Sequence, residues 1–174
     1  MQIRNPRVDE VGDIERVLLA AFSADEGPTI VRLVSELRRD PSARPIFEFV
    51  AEEAGEVVGV VLFTKASIFD HAGVSASILA PLAVSPKRQR SGIGRMLVEH
   101  GLTAMRECGV DLVFVLGDPA FYSRFGFDAK HGVSPPHELP YPEAWMVREL
   151  TPGVVASTSG SLACARSLEP RESW

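Results

Sequence analysis

The sequence has few cysteines, no long apolar run and no excess of basic residues. Its two cysteines, Cys108 and Cys164, are too few for a disulfide framework and lack CxxC spacing, so we expect a reduced, cytoplasmic protein. The longest strongly apolar run, VVGVVLF, is far shorter than the roughly 20 residues that a membrane-spanning helix needs. The first residues, MQIRNPRVDE, lack the apolar segment of a signal peptide. We therefore expect neither a disulfide-rich secreted domain nor a membrane protein.

The charge balance argues against nucleic acid as a partner. Lysine and arginine number 18 and aspartate and glutamate number 23, which gives a net charge of −5 at pH 7. Nucleic-acid-binding proteins generally present a broad basic face, whereas this chain is acidic. A small anionic ligand held by a local basic cluster stays compatible with this balance. The length of 174 residues and the apolar share of 45% indicate one globular domain with a substantial core.

Hydrophobic periodicity predicts two helices followed by antiparallel strands. Apolar residues recur at helical spacing after Asp9, an expected N-cap, and Gly27–Pro28 is expected to break this helix. A second helix is expected to stop at Asp40–Pro41. Alternation over residues 47–63 then predicts a hairpin, and the next apolar run predicts a third antiparallel strand. Pro81 lies inside that run, which indicates either a sheet edge or a bulge.

The middle of the chain predicts a strand–helix–strand unit. The apolar stripe from Ile93 to Cys108 indicates a helix that Gly109 ends, and residues 112–116 form an unbroken apolar run typical of a buried strand. Two strands joined by such a helix pair in parallel, so we predict an α+β fold whose sheet is mostly antiparallel with one parallel unit. We expect one domain over residues 1–152, followed by a C-terminal strand and partly flexible tail over residues 153–174.

The residues most suggestive of chemistry form the segment Leu82 to Arg95, LAVSPKRQRSGIGR. A strand ends there, and a basic, glycine-containing loop leads into a helix whose first N–H groups lack internal partners and favour an anion. Gly92 and Gly94 allow a phosphate oxygen to approach the backbone closely. Neither the P-loop pattern, GxxxxGK followed by Ser or Thr, nor the dinucleotide pattern GxGxxG occurs. From the residues alone, a phosphate-binding loop and a glycine-started helix with solvated basic residues both remain open.

Two motifs in this order resemble the GCN5-related N-acetyltransferase (GNAT) superfamily. The string Leu82-Ala83-Val84-x-Pro86, followed by Gln89-x-x-Gly92-x-Gly94, resembles its acetyl-CoA signature, Gln/Arg-x-x-Gly-x-Gly/Ala. Downstream, Tyr122-Ser-Arg-Phe-Gly126-Phe127 is similar to the Tyr-x-x-x-Gly-Phe element after the fifth strand of that fold. The string GDPAFYSRFGF looks most like a bacterial subgroup, the YhbS-like acetyltransferases. The resemblance covers about residues 2–150 and implies the GNAT fold.

The resemblance also implies that acetyl-CoA is the cosubstrate. Backbone groups of Leu82 and Val84 would pair with the pantetheine amides as an added strand does, and an N–H in this segment would polarise the thioester carbonyl. The diphosphate would lie on the N–H groups of residues 90–95, with Gln89 bracing the loop. The cofactor-binding residues expected in this way are Leu82, Ala83, Val84, Gln89, Arg90, Ser91, Gly92, Ile93, Gly94 and Arg95.

Tyr122 is the expected catalytic residue, since a phenol can protonate the CoA thiolate that leaves when an amine attacks. Outside this motif, a structural, partly buried tyrosine would be the preferred interpretation. No metal is expected, because the histidines and cysteines lack ligand spacing. Cys108 is expected in the core, which favours direct transfer in a ternary complex over a covalent acyl-enzyme. The general base stays open, and its conceivable candidates are Glu26, Glu36, Glu48, Glu52, Asp70 and His71.

Three interpretations of the whole sequence are considered. We expect an enzyme that acetylates a small-molecule or peptide amine, while a catalytically silent acyl-CoA-binding sensor or subunit is the alternative. A plain α/β domain without a ligand is the third. Retention of Tyr122 disfavours the sensor, because a pure binding module needs no proton donor. We expect no nucleic-acid or membrane partner, and a homodimer could form through an exposed late strand near residues 145–150.

Overall fold

The computed structural model describes residues 1–174 and contains four α-helices. Each longer helix turns an apolar stripe toward a sheet and polar side chains toward solvent; Ile14 and Leu18, for example, are completely buried. No helix combines the length and the hydropathy needed to cross a membrane. The helices are Val11–Ala21 (α1), Glu26–Arg39 (α2), Ile93–Glu107 (α3) and Pro119–Tyr122 (α4).

The boundary between α1 and α2 differs from the sequence prediction. Gly27–Pro28 lie in the first turn of α2 rather than breaking a helix, so that prediction was wrong. The Ser23 hydroxyl accepts a hydrogen bond from the Glu26 amide at 3.3 Å and donates one to the Glu26 carboxylate at 2.7 Å. This exchange resembles a capping box, which starts α2 ahead of the proline. Proline fits a first helical turn because its missing N–H would have no partner there.

Eight strands form the sheet structure on which these helices pack. They are Gln2–Arg4 (β1), Phe47–Glu53 (β2), Glu56–Ile68 (β3), Ala76–Val84 (β4), Leu112–Leu116 (β5), Gly132–Ser134 (β6), Trp145–Glu149 (β7) and Ser159–Ala163 (β8). Six lie in the order β1-β2-β3-β4-β5-β7, and only the β4–β5 neighbours in this row are parallel. β8 pairs with both β3 and β6. The predicted α+β class, with one parallel unit in a mostly antiparallel sheet, is confirmed.

The helices cover both faces of the sheet. Side chains of α1 and α2 pack with Val60 and Leu62 of β3, whereas those of α3 pack with Val61 and Phe63 on the other face. Successive residues of a strand point to opposite faces, which produces this division. At Gly101 the α3 backbone comes so close to β3 that a Cβ would overlap the Phe63 ring. Burial on both faces explains the continuous apolar run of β3.

A bulge and a divergence occur in β4. Phe63 of β3 pairs with Leu79 and Val61 pairs with Leu82, so β4 holds one extra residue around Pro81. The predicted bulge is confirmed, and the alternative of a sheet edge is excluded because β4 lies between β3 and β5. β4 and β5 pair only over residues 76–78 and 112–114. Beyond that point the two strands separate and leave a gap.

Residues 153–174 lie against the side of the sheet that α1 and α2 cover. Asp40, which follows α2, accepts hydrogen bonds at 2.9 Å from both the backbone N–H and the hydroxyl of Ser167. Near the end of the sequence, the Trp174 indole donates to the Leu168 carbonyl at 2.6 Å, and its ring centre lies 5.5 Å from that of Trp145. The segment therefore reaches the end of the sheet where β4 and β5 diverge.

Candidate active site

The backbone of β4 presents unused hydrogen-bonding groups to the gap. The N–H of Ser85 donates to the Val58 carbonyl on β3 at 2.9 Å. Because backbone groups alternate in direction along a strand, those of Leu82 and Val84 point away from β3 and into the gap. The Val84 carbonyl accepts from the Gln89 side-chain amide at 3.1 Å, which ties the loop to the end of the strand. The Val84 N–H and both backbone groups of Leu82 stay available to a ligand.

The N-terminus of α3 opens beside this strand end. The first backbone bond of the helix joins the Met96 N–H to the Gly92 carbonyl at 3.1 Å, and no side chain caps the helix. The N–H groups of residues 93–95 therefore lack intrahelical partners and present partial positive charge. Gly92 has φ +88°, a left-handed conformation that suits glycine. The Gly92-x-Gly94 spacing thus belongs to an uncapped helix start, the geometry that binds anions.

A cleft of about 700 Å³ joins the gap to the helix start. We call it the CoA cleft, after the cosubstrate that the sequence resemblance implies. Ala83 and Ile93 do not line it because they are buried in the core beside it. Ser91 also lies outside the lining, and its hydroxyl donates to the Arg88 carbonyl. The predicted residues that line the cleft are Leu82, Val84, Gln89, Arg90, Gly92, Gly94, Arg95 and Tyr122, and the others are Arg88, Asp118, Phe121 and Arg124.

The positive charge of the cleft is partly compensated. Arg88 pairs with Glu53 at 2.7 Å, and Arg95 pairs with Glu99 at 2.8 Å. Arg90 and Arg124 make no ion pair and leave two guanidinium groups for an anionic ligand. Arg124 therefore lines the same cleft as the predicted basic loop, although it lies in the second motif of the sequence. The cleft is a local cationic site on an acidic protein.

Tyr122 closes the inner end of the CoA cleft. It is 8% exposed, its hydroxyl has no hydrogen-bond partner in the protein, and burial raises the pKa of its phenol. Asp118 caps α4 by accepting from the Ala120 N–H at 2.9 Å, which fixes the turn that carries the tyrosine. A Cβ at Gly117 would overlap the Tyr122 ring. Sequence reasoning missed Gly117, although its place between a buried strand and a helix cap was a signal.

A second cavity, of about 260 Å³, lies on the other side of Leu82 and Tyr122. We call it the apolar cavity. It lies where β4 and β5 diverge, and its other walls come from Phe22 after the end of α1, from α2, from β7 and from the C-terminal segment. Its lining residues are Phe22, Ile30, Leu33, Ile78, Leu79, Ala80, Pro81, Leu82, Leu116, Tyr122, Trp145, Leu168, Ser173 and Trp174. Sequence reasoning did not find it, because its walls come from segments far apart in the chain.

None of the conceivable general bases lines either cavity. Glu48 forms an ion pair with Arg38, and Glu52 forms one with Arg4. Hydrogen bonds from Arg4 hold the pKa of Glu52 below its ordinary value. Asp70 lies in the turn after β3 with His71, beside β8. The remaining candidates, Glu26 and Glu36, lie on α2 and contact Ser23 and Arg32 respectively.

The expected burial of Cys108 was wrong. Cys108 is exposed to solvent and is the C-cap residue of α3. The 15 residues of α3 span roughly 22 Å at 1.5 Å per residue, so this thiol lies far from the helix start that faces the cleft. Cys108 is therefore not placed to act as a nucleophile there. No three His, Cys, Asp or Glu residues converge closely enough to hold a metal ion.

Comparison with known proteins identifies the family to which this fold belongs. Residues 46–129 match the family of acetyltransferase (GNAT) domains. The N-acetyltransferase YjhQ of Escherichia coli K12 is 35% identical over 162 residues, which cover 90% of this chain and 87% of YjhQ. The structure of E. coli YhbS in complex with CoA superposes with a TM-score of 0.87 at 29% identity, over 98% of this chain and 92% of YhbS. A Brucella melitensis GNAT acetyltransferase in complex with acetyl-CoA gives 0.75 at 29% identity, over 96% and 97%.

A relative that is 35% identical over 90% of this chain, a matching domain family and a solved structure with a TM-score of 0.87 lead to one assignment. The chain belongs to the GNAT family of N-acetyltransferases.

Proposed function

We propose that this protein transfers the acetyl group of acetyl-CoA to an amine by direct attack within a ternary complex. The observation that carries the proposal is the meeting of the CoA cleft and the apolar cavity at Leu82 and Tyr122. This arrangement provides separate approaches for two substrates to one point. The CoA and acetyl-CoA bound in the structures of two relatives support acetyl-CoA as the ligand of the cleft.

The residues of the cleft fit the parts of acetyl-CoA. The free backbone groups of Leu82 and Val84 would bind pantetheine amides in the manner of an added strand. The uncapped N–H groups at the start of α3 would bind the diphosphate, and Arg90 and Arg124 would add charge-assisted hydrogen bonds. Gln89 would hold the loop in place through Val84. Ser91 and Ile93 would contribute through their backbone alone.

Tyr122 is the proposed general acid. Acetyl-CoA, when bound, supplies an activated thioester whose sulfur leaves as a thiolate. The Tyr122 hydroxyl would donate its proton to that sulfur as negative charge develops. Burial raises the pKa of the phenol and keeps it protonated, and the same dry surroundings raise the proton affinity of a thiolate. A backbone N–H of the bulged strand would polarise the thioester carbonyl.

The acceptor nitrogen must lose its proton before or during attack. The lining of both cavities contains one acidic side chain, Asp118, and its carboxylate accepts from the Ala120 N–H at the start of α4. We therefore propose that the amine enters in its neutral form, that solvent takes the proton which the nitrogen loses on attack, and that solvent returns a proton to the Tyr122 phenolate.

The test is the release of CoA thiol by Tyr122→Phe. Loss of a general acid is expected to lower kcat by about 100-fold, while the KM for acetyl-CoA changes little because the hydroxyl acts on the departing sulfur. Tyr141→Phe is the matched control, since Tyr141 is the other tyrosine of the chain and is 68% exposed. Equal kcat for Tyr122→Phe and the wild type would remove the proposed role.

Acetyl-CoA binding without thiol release across a broad amine panel would instead favour the silent acyl-CoA-binding module.

We further propose a cytoplasmic location, which the two free cysteines support. Residues 1–152 are the proposed acetyltransferase domain, to which residues 153–174 add a wall of the apolar cavity. A homodimer through β7 stays a prediction, and mutual hydrogen bonds of 2.9 and 3.0 Å between Val147 and Asp128 already use part of the outer edge of that strand.

A further inference from the structure

The apolar cavity bears on the acceptor, which the proposed function leaves open. It touches the CoA cleft at Leu82 and Tyr122. Its other walls come partly from Phe22 after α1, from α2, from β7 and from the C-terminal segment, none of which contributes to the CoA cleft. An occupant of the apolar cavity therefore approaches the proposed reaction centre from the side opposite the CoA cleft. A second substrate in a ternary complex needs such an approach.

The chemistry of the walls restricts that occupant. Twelve of the fourteen lining residues are apolar, and none has a charged side chain. A polyamine placed here would lose hydration without an acidic side chain to pair with, which is unfavourable. An apolar group would gain from the same burial. The volume of about 260 Å³ lies below the roughly 300–1,000 Å³ of pockets for drug-sized ligands, so it suits one apolar substituent.

Trp174 forms a wall that the structure holds in place. Its indole N–H donates to Leu168 at 2.6 Å, and its ring centre lies 5.5 Å from that of Trp145. The preceding residues contact α2 and the residue after it, since Glu172 pairs with Arg32 at 3.4 Å and the Ser167 N–H donates to the Asp40 carboxylate at 2.9 Å. A large aromatic side chain fixed in this way can discriminate between acceptors by contact.

We propose that the acceptor is an amine bearing one apolar group of about the size of a leucine or phenylalanine side chain, and that Trp174 is a specificity-determining residue for it. This inference rests on the proposed acetyl transfer. The nitrogen would lie near Tyr122, and the apolar group would fill the apolar cavity against Trp174.

The kinetic test uses the full chain, acetyl-CoA and a panel of primary amines. 2-Phenylethylamine and isopentylamine are expected to give kcat/KM at least about tenfold above ethylamine, ethanolamine and putrescine. Trp174→Ala is expected to reduce the ratio of 2-phenylethylamine to ethylamine by about tenfold, and Trp174→Phe should retain most of it. Tyr141→Phe is the control, since Tyr141 lies outside both cavities and should leave the ratio unchanged.

A binding test gives an answer without turnover. Both tryptophans of the chain, Trp145 and Trp174, line the apolar cavity, so intrinsic fluorescence reports its occupancy. With CoA bound, 2-phenylethylamine is expected to change this fluorescence saturably, whereas putrescine is expected to have no effect. Trp174→Phe should reduce the change and leave the dissociation constant for CoA, measured by calorimetry, within about twofold, because Trp174 does not line the CoA cleft.

The outcomes separate this inference from the proposed function. Thiol release that is equal for all amines, or highest with putrescine, overturns the inference and leaves acetyl transfer standing. If no amine releases thiol although CoA binds, the proposed function fails, and the fluorescence titration alone supports or overturns an apolar amine site. Faster release with hexanoyl-CoA than with acetyl-CoA, together with a fluorescence change caused by hexanoyl-CoA alone, assigns the cavity to an acyl chain and overturns the inference.

Discussion

Gly117 determines where the Tyr122 ring can lie. The glycine follows β5 directly, and a side chain there would occupy the space that the ring fills. Phe121 and Phe127 surround the same ring, at centre distances of 5.0 and 5.5 Å. The tyrosine itself was predicted from its motif. The role of Gly117 in leaving room for the ring was not predicted, because it depends on how the turn after β5 folds back.

Gly117→Ala is therefore expected to lower kcat by about tenfold, since the added methyl group displaces the Tyr122 ring and misplaces its hydroxyl. Thiol-release kinetics check this, with Gly73→Ala as control because a Cβ at that exposed turn meets nothing within 4 Å. In a Tyr122→Phe background the alanine should have no further effect on kcat. An equal loss in both backgrounds would show that Gly117 acts independently of the tyrosine.

The start of α3 is proposed to bind the diphosphate through several backbone N–H groups rather than through one side chain. Its free N–H groups have no cap, and the left-handed Gly92 turns the basic loop into the helix. The motif Gln89-x-x-Gly92-x-Gly94 was readable from the sequence because the conformations it needs are local. The segment Leu82 to Arg95 contains four cationic residues. Arg88 and Arg95 are paired with carboxylates of β2 and α3, and only the folded structure shows this.

Gly92→Ala is expected to weaken CoA binding by about tenfold. A left-handed conformation costs a residue with a Cβ roughly 1–2 kcal/mol, and relief of that strain would move the amides at the helix start. Gly55→Ala is the matched control, since Gly55 has φ +84° and open space around its Cβ position but lies in the β2–β3 turn. Denaturant unfolding should show a similar loss for both variants, and calorimetry should show weaker CoA binding only for Gly92→Ala. Equal CoA affinities would contradict the assignment of this helix start.

At the scale of the whole molecule, Asp40 joins α2 to the C-terminal segment. Burial opposes ionisation of this carboxylate, but hydrogen bonds from Ser42 and Ser167 outweigh it and hold the pKa well below its ordinary value of 3.8. A carboxyl group whose pKa is lowered by folding stabilises the native state above its unfolded pKa. That contribution is lost as pH falls below about 4.

Asp40→Asn is expected to lower the free energy of unfolding at pH 7 by about 2–3 kcal/mol, because hydrogen bonds to a charged group are lost. Its unfolding free energy should also fall less steeply than that of the wild type between pH 5 and pH 2. Denaturant titrations at several pH values measure both effects. Ser167→Ala, which keeps the carboxylate and its backbone donor, should give an intermediate slope. Parallel pH profiles for Asp40→Asn and the wild type would be inconsistent with this account.

The sequence by itself determined the existence of the long helices, most strands of the sheet and the glycine-containing start of α3, because hydrophobic periodicity and glycine conformation act over a few residues. It left Pro81 open between a sheet edge and a bulge, which the strand order decided. Only the tertiary structure decided which carboxylates are removed from the site, that Cys108 faces solvent, and that Phe22 and Trp174 meet across one apolar cavity. These contacts join residues up to about 150 positions apart in the sequence, and no local pattern encodes such a distance. The family and the cofactor class are therefore predictable from short motifs, whereas the proposed acceptor site is lined by residues that only folding brings together.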